Sequence, residues 1–228
     1  MQKRIRLIID IGMTLLLPLL MAYSLIGEMF HEIIGTLTFI LFIIHHVLNR
    51  KWCGALLKGR YGAVRIFRTV INVLLFLFMI LQPVSGILMS KHLYTFLPAL
   101  PISALARGIH MLLAYWGYVL MCVHAGTHLS GSFIKLEKQK QRIRIPVYGL
   151  LCAISVYGCI AFVKRGFPGY MAGATMFAFF DYSEPLIFFI LDYLAVMILF
   201  MMVGCLVIRI LNKADGWQKK RRRIDNDF

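Results

Sequence analysis

The chain has 228 residues, of which 60% are hydrophobic, with a mean hydropathy of +0.78 and a formal net charge of +15. A soluble domain is excluded, because apolar stretches of about 18 or more residues predict transmembrane helices. The charge does not indicate a nucleic-acid-binding protein, since the basic residues are confined to alternate loops between these stretches.

Six apolar segments follow one another along the chain with only short polar loops between them. We expect an all-α integral membrane protein with a four-helix bundle in residues 1–130 and two further transmembrane helices in residues 131–228. The first segment resembles a signal peptide, but its length and the spans directly after it favour an uncleaved helix. The segments lie at about 5–27, 29–48, 69–90, 106–130, 146–163 and 185–211.

The distribution of Lys and Arg predicts the orientation of these spans. Four regions hold 21 of the 25 basic residues, namely 3–6, 50–68, 135–144 and 209–223. The alternate loops hold only Lys91, Arg107, Lys164 and Arg165. By the positive-inside rule, both termini are expected in the cytoplasm, and the loops near 91–105 and 164–184 are expected outside.

Histidines recur at the same spacing in the second and fourth spans. His31 and His45 are 14 residues apart, and so are His110 and His124. Fourteen helical residues return to within about 40° of the starting face and rise about 21 Å. Each helix therefore presents two imidazoles on one face, one near each side of the membrane.

These two spans are expected to run in the same direction, because one span separates them. His31 then lies level with His110, and His45 with His124. Two level pairs of imidazoles predict two bis-histidine sites, which suit non-covalent haem b in a helical bundle. A single membrane histidine is more often bonded to a neighbour, but four at matched depths favour the haem interpretation.

Two further histidines leave the inner ligands open. His46 lies about 60° off the face of His31, while His128 shares the face of His110 but lies about 27 Å further along. The repeated spacing favours His45 and His124. His128 could bond a haem propionate, meet a quinone, or be a solvated interfacial side chain.

Some residues could support such a site or have only structural roles. Arg107, one turn before His110, could pair with propionates or anchor the helix end. Gly35 and several other glycines could admit a porphyrin plane or reflect ordinary helix packing. The other glycines are Gly12, Gly27, Gly86, Gly117 and Gly126.

The motifs "HEIIGTLTFILFIIHHVLNRKW", "SGILMS" and "HMLLAYWGYVLMCVHAGTHL" resemble those of the small bacterial flavinylation-associated cytochromes. The resemblance covers about residues 25–130. It implies a four-helix dihaem core in the bacterial cytoplasmic membrane, with His31, His45, His110 and His124 as ligands. It also implies electron transfer toward an extracytoplasmic flavoprotein or another redox protein. The sequence departs from the pattern at Leu129, where members commonly have Trp, and in its doubled His45–His46.

The electron donor is expected to be a membrane quinol or a separate protein, because the chain has no dinucleotide-binding GxGxxG motif. Whether the protein itself oxidises quinol is left open. A quinol site needs a proton acceptor, and the candidates are Glu28, Glu32, Asp10 and Asp192. Asp192 lies inside an apolar span, where a charge is costly, so it has either a function or a hydrogen-bonded structural role.

Two alternative functions belong to classes other than electron transfer. A metal-ion transporter could use the four histidines as ligands, but it should have acidic residues along a pore, and this chain has almost none in mid-membrane. A structural membrane anchor would not explain two equal histidine spacings. Haem content separates the electron carrier from both.

Overall fold

The computed structural model describes residues 2–96, 103–175 and 177–226, with side chains described over 3–96, 104–175 and 177–216. All secondary structure in these ranges is helical, and no strand occurs in them, which confirms the all-α prediction. The predicted outer loop near 91–105 falls partly outside the described residues. The helices are α1 (Gln2–Met21), α2 (Tyr23–Ile26), α3 (Glu28–Leu48), α4 (Lys51–Ala55), α5 (Ala63–Ile87), α6 (Ser103–Glu137), α7 (Gln141–Lys164), α8 (Phe167–Met171) and α9 (Leu186–Asn226).

Five of the described helices are long and apolar enough to cross a membrane: α3, α5, α6, α7 and α9. Their outward faces expose large apolar side chains, among them Leu150, Val156 and Leu206. A helix satisfies its own backbone hydrogen bonds, so such apolar faces can lie against lipid. The chain is therefore a multi-pass membrane protein.

The first predicted span corresponds to α1 and α2, which are separated at Ala22. The N–H of Ala22 donates to the carbonyl of Leu19 at 3.0 Å, which makes a tight turn after the end of α1. Gly27, with φ of 92°, then separates α2 from α3. α1 begins with Lys3, Arg4 and Arg6 and is not among the five helices above, so the count of six spans stays a prediction.

α1 and α3 pair antiparallel, and so do α5 and α6. Arg6 near the start of α1 donates to the carbonyl of Leu48 at the end of α3, at 2.8 Å. Arg68 near the start of α5 donates to the carbonyl of Thr127 late in α6, at 2.9 Å. We call the end of the bundle where α1 begins the basic end, and the opposite end the distal end.

The last helix, α9, packs closely on α6 and runs parallel to it, since Tyr118 donates to the carbonyl of Tyr193 and, further along both helices, Glu137 pairs with Arg209. Gly126 faces the backbone of Met201, and Gly204 faces the backbone of Val123. Cys205 Sγ lies 3.0 Å from the carbonyl oxygen of Gly126. Small residues allow two helix backbones to approach in this way. The last predicted span is thereby joined to the predicted four-helix part, and the division into residues 1–130 and 131–228 stays a prediction.

Candidate functional site

A cavity of about 490 Å³ lies at the distal end between α1, α3, α5 and α6. These four helices correspond to the predicted four-helix part of the chain. Apolar side chains such as Leu17, Phe39 and Phe78 line much of the wall, together with His31 and His110. A mainly apolar cavity with a few polar groups is the usual form of a cofactor or ligand site.

The imidazoles of His31 and His110 lie close together at this cavity. Their ring centroids are 6.2 Å apart, with an interplanar angle of 68°. A metal-bound imidazole nitrogen lies about 2 Å from the ion and the ring centre about 1 Å further, so two opposed ligands have centroids about 6 Å apart. The observed separation of the ring centroids is therefore close to that of two opposed imidazole ligands.

Three glycines make space in the cavity wall. A Cβ atom at Gly117, two turns after His110, would meet no other atom within 4 Å, and one at Gly35 would meet only Leu20 at 3.9 Å. A Cβ atom at Gly86 would lie 3.3 Å from Cε1 of His110. Gly35 and Gly117 thus leave room for a flat group, while Gly86 leaves room for the His110 ring.

Hydrogen bonds from α5 determine the orientation of His110. Its Nδ1 lies 3.0 Å from Ser85 Oγ and 3.2 Å from the carbonyl oxygen of Gln82. Ser85 Oγ itself donates to that carbonyl at 2.8 Å, so it accepts from Nδ1–H. The lone pair is then on Nε2, which lies 3.1 Å from the side-chain nitrogen of Gln82. In this structure the Gln82 amide N–H donates to the lone pair, which is the one that a metal ion would take.

Arg107 lies among the residues that line the cavity near its distal opening. Its guanidinium lies 5.1 Å from the ring centroid of Phe177, and no described carboxylate forms an ion pair with it. The neighbouring Lys91 is paired with Glu28 at 2.9 Å. Tyr23 also donates to Glu28 at 2.7 Å. Arg107 can therefore meet an anionic group at the opening.

Glu32 attaches the loop after α5 to α3. Its carboxylate accepts hydrogen bonds from Ser90 Oγ at 2.7 Å and from the N–H groups of Lys91 and Leu93 at 2.8 Å each. These bonds hold the loop beside the cavity opening. Proton handling by Glu28 or Glu32 stays a prediction.

Asp192 lies in a separate cluster of charges at the distal end of α7 and α9. It is 1% exposed and pairs with Lys164 Nζ at 2.8 Å and with Arg165 Nη2 at 2.7 Å, and Tyr157 donates to it. Arg165 also pairs with Glu184 at 2.7 Å, which lowers the pKa of Glu184 below its usual range. The described cavity lining does not include Asp192. Its contacts form an ion-pair network, and a role in proton handling stays a prediction.

At the basic end, His45 and His124 are each held by a side chain from a neighbouring helix. His45 Nδ1 lies 2.7 Å from the Asp10 carboxylate on α1. His124 Nδ1 lies 2.8 Å from the Asn72 side-chain oxygen on α5. Each Nδ1–H therefore has an acceptor, and each Nε2 keeps its lone pair, as in His110.

The other two histidines at this end have different surroundings. His46 Nδ1 bonds the carbonyl of Phe42 in its own helix at 3.0 Å, and its ring packs on Phe42 and Phe76. His128 is exposed, with its ring centroid 4.8 Å from that of His124. Among the described residues, the close ring contacts here join His45 to His46 and His124 to His128, and none joins His45 to His124.

Four of the residues that hold these histidines were not recognised as their partners from the sequence. Asp10 was predicted only as a proton acceptor, and no role was predicted for Asn72, Gln82 and Ser85. An isolated polar side chain in an apolar span is a signal for such residues, since it needs a partner inside the membrane. In the described part of the chain, no three His, Cys, Asp or Glu side chains form a metal-binding group.

No protein-family model, curated protein or solved structure matches this chain. The likeness to the flavinylation-associated cytochromes therefore depends on the quoted motifs alone.

Proposed function

We propose that this protein is a b-type dihaem cytochrome that carries electrons across the bacterial cytoplasmic membrane. A membrane quinol or a separate protein would donate the electrons. An extracytoplasmic redox protein, such as a flavoprotein, would accept them. The observation that carries the proposal is the pair of imidazoles, His31 and His110, beside a mainly apolar cavity in the four-helix part.

The residues of the distal cavity suit haem b. Haem is a broad, apolar ring with an iron that takes axial imidazoles, and when bound it supplies one-electron chemistry. His31 and His110 would be its ligands, and Gly35 and Gly117 would leave space for its plane. Arg107 would neutralise a propionate through a charge-assisted hydrogen bond.

The donor set at the basic end suits a second haem. His45 and His124 would be its ligands, because each offers Nε2 while Nδ1 is held by a neighbouring helix. His128, which is exposed near His124, would meet a propionate or a quinone head group. The two sites would be about 20 Å apart by helix rise, one near each face of the membrane.

The chain's own residues perform three tasks in this function. His45, His110 and His124 would bind through Nε2, and their Nδ1 partners determine the ring orientation. His31 Nδ1 is buried with no hydrogen-bond partner among the described residues. Apolar side chains of the cavity wall, such as Phe39 and Phe78, exclude water from the electron path. The basic loops place one site toward the cytoplasm and the other toward the outside, by the positive-inside rule.

The decisive experiment is a visible spectrum of the purified full-length protein, oxidised and dithionite-reduced, with haem counted per chain. We expect reduced b-type bands and close to two haems per chain. Protein made with ample haem that contains none would contradict the proposal. Metal analysis of the same sample would then test the transporter alternative.

A further inference from the structure

We infer that Asp10 is a positioning residue that selects His45 over His46 as a ligand and lowers the reduction potential of the haem at the basic end. This inference depends on the proposed function. Its structural basis is the contact of 2.7 Å between the Asp10 carboxylate and His45 Nδ1. The contact joins α1 to α3, across 35 residues of sequence.

Asp10 selects His45 over His46 because the Nδ1 partners of these two histidines differ. His45 donates from Nδ1 to a carboxylate on another helix, which determines its tautomer and its ring direction. His46 has only the carbonyl of Phe42 in its own helix, and its ring packs between Phe42 and Phe76. A carboxylate partner makes an imidazole a more basic ligand, so His45 is the stronger electron donor to iron.

The effect on potential follows from a comparison of the acceptors. His110 donates to Ser85, a neutral hydroxyl group, and His124 donates to Asn72, a neutral amide. Among these three histidines, only His45 has a carboxylate acceptor. A charge-assisted hydrogen bond is stronger than a neutral one, and second-shell hydrogen bonds tune haem potentials. A more basic ligand stabilises the oxidised iron and so lowers the potential.

A lower potential at the basic end has a functional consequence. Electrons pass spontaneously from a centre of lower potential to one of higher potential. Asp10 would thus favour passage from the basic end to the distal end, which is the proposed direction. α1 would have a functional role in addition to completing the bundle.

The test is a redox titration of the reduced absorbance band in the purified full-length protein and in D10N. Asn has the same shape and keeps an acceptor oxygen but removes the charge. We expect D10N to keep the wild-type haem count, to raise one midpoint potential and to leave the other unchanged. N72D should lower the potential of that same haem, because it adds a carboxylate to His124. S155A is the control that should move neither potential, because Ser155 bonds only the carbonyl of Leu151 in its own helix.

The results for these variants either support or contradict the role of Asp10. If D10N and N72D keep the wild-type haem count and leave both potentials unchanged, the inference is wrong while the dihaem proposal stands. If D10N loses one haem, D10E decides: recovery of the haem at its original potential supports the carboxylate role, and equal loss contradicts it. Wild-type protein without haem would contradict the proposed function itself.

Discussion

The histidines of the distal end and those of the basic end are organised in different ways. At the distal end, His31 and His110 face a shared cavity with their ring centroids 6.2 Å apart. At the basic end, His45 and His124 are each held by a polar side chain from a neighbouring helix, but their rings are not in contact. One site is thus defined by converging rings, and the other by the partners that orient its rings.

This difference shows which features identify a ligand in a helical bundle. The 14-residue spacing links the two ends on both helices, so spacing alone cannot distinguish a ligand histidine from a histidine beside it in the sequence. At the basic end it is the kind of Nδ1 partner that differs, since His45 has a carboxylate from another helix and His46 has a carbonyl of its own helix.

Removal of either distal ligand should have the largest effect. H31A and H110A should each lose the distal haem, about half of the total, since one imidazole cannot replace an axial pair. Haem per chain, measured in purified protein, checks this. H92A is the matched control, because His92 lies in the loop after α5 and is 38% exposed at its side chain. Full haem in both H31A and H110A would overturn the ligand assignment at this end.

The paired substitutions H45A and H46A should separate the two neighbouring histidines of the basic end. H45A should lose the second haem, because it removes the imidazole that Asp10 orients. H46A should keep both haems, since His46 packs between phenylalanine rings. Haem counts and reduced spectra of the two variants provide the measurement. The reverse result would make His46 the ligand and the Asp10 contact purely structural.

Filling the space at Gly117 should weaken haem binding at the distal site alone. G117L places a side chain into the open space of the cavity wall, so the distal haem content should fall while the other haem remains. G131L is the matched control on the same helix, because a Cβ atom at Gly131 also meets nothing within 4 Å but Gly131 does not line the cavity. Equal haem contents in the two variants would show that the cavity does not hold the cofactor.

Loss of the Ser85 hydroxyl should have the smallest effect. S85A leaves His110 Nδ1 with the carbonyl of Gln82 at 3.2 Å, so the ring keeps one acceptor. We expect the apparent affinity for the distal haem to fall by about tenfold, the lower end of the range for second-shell changes. Haem titration into protein prepared without haem measures it. S155A is the control, because Ser155 bonds only its own helix at Leu151.

Much of the membrane architecture could be predicted from the sequence, because the signals for it are local. The segment 29–48 corresponds to α3 at Glu28–Leu48, and four other predicted spans lie within α5, α6, α7 and α9, apart from a few terminal residues. The first span was predicted less well, since the helix is broken at Ala22 although the apolar sequence continues through it. Asp192 was open to two interpretations, and its partners Lys164 and Arg165 could be identified only when α7 was packed on α9.

The sequence by itself determined that the chain is helical and apolar enough for lipid, and that its histidines repeat at one spacing. Both depend on neighbours within a single helix, where backbone hydrogen bonds and helical periodicity act. The level pairing of His31 with His110 was predicted from helix direction, but only the tertiary structure decided that the two rings lie at a cavity and that Asp10 holds His45. Those contacts join residues far apart in the chain, and they depend on how the helices are rotated and packed, which no local pattern specifies.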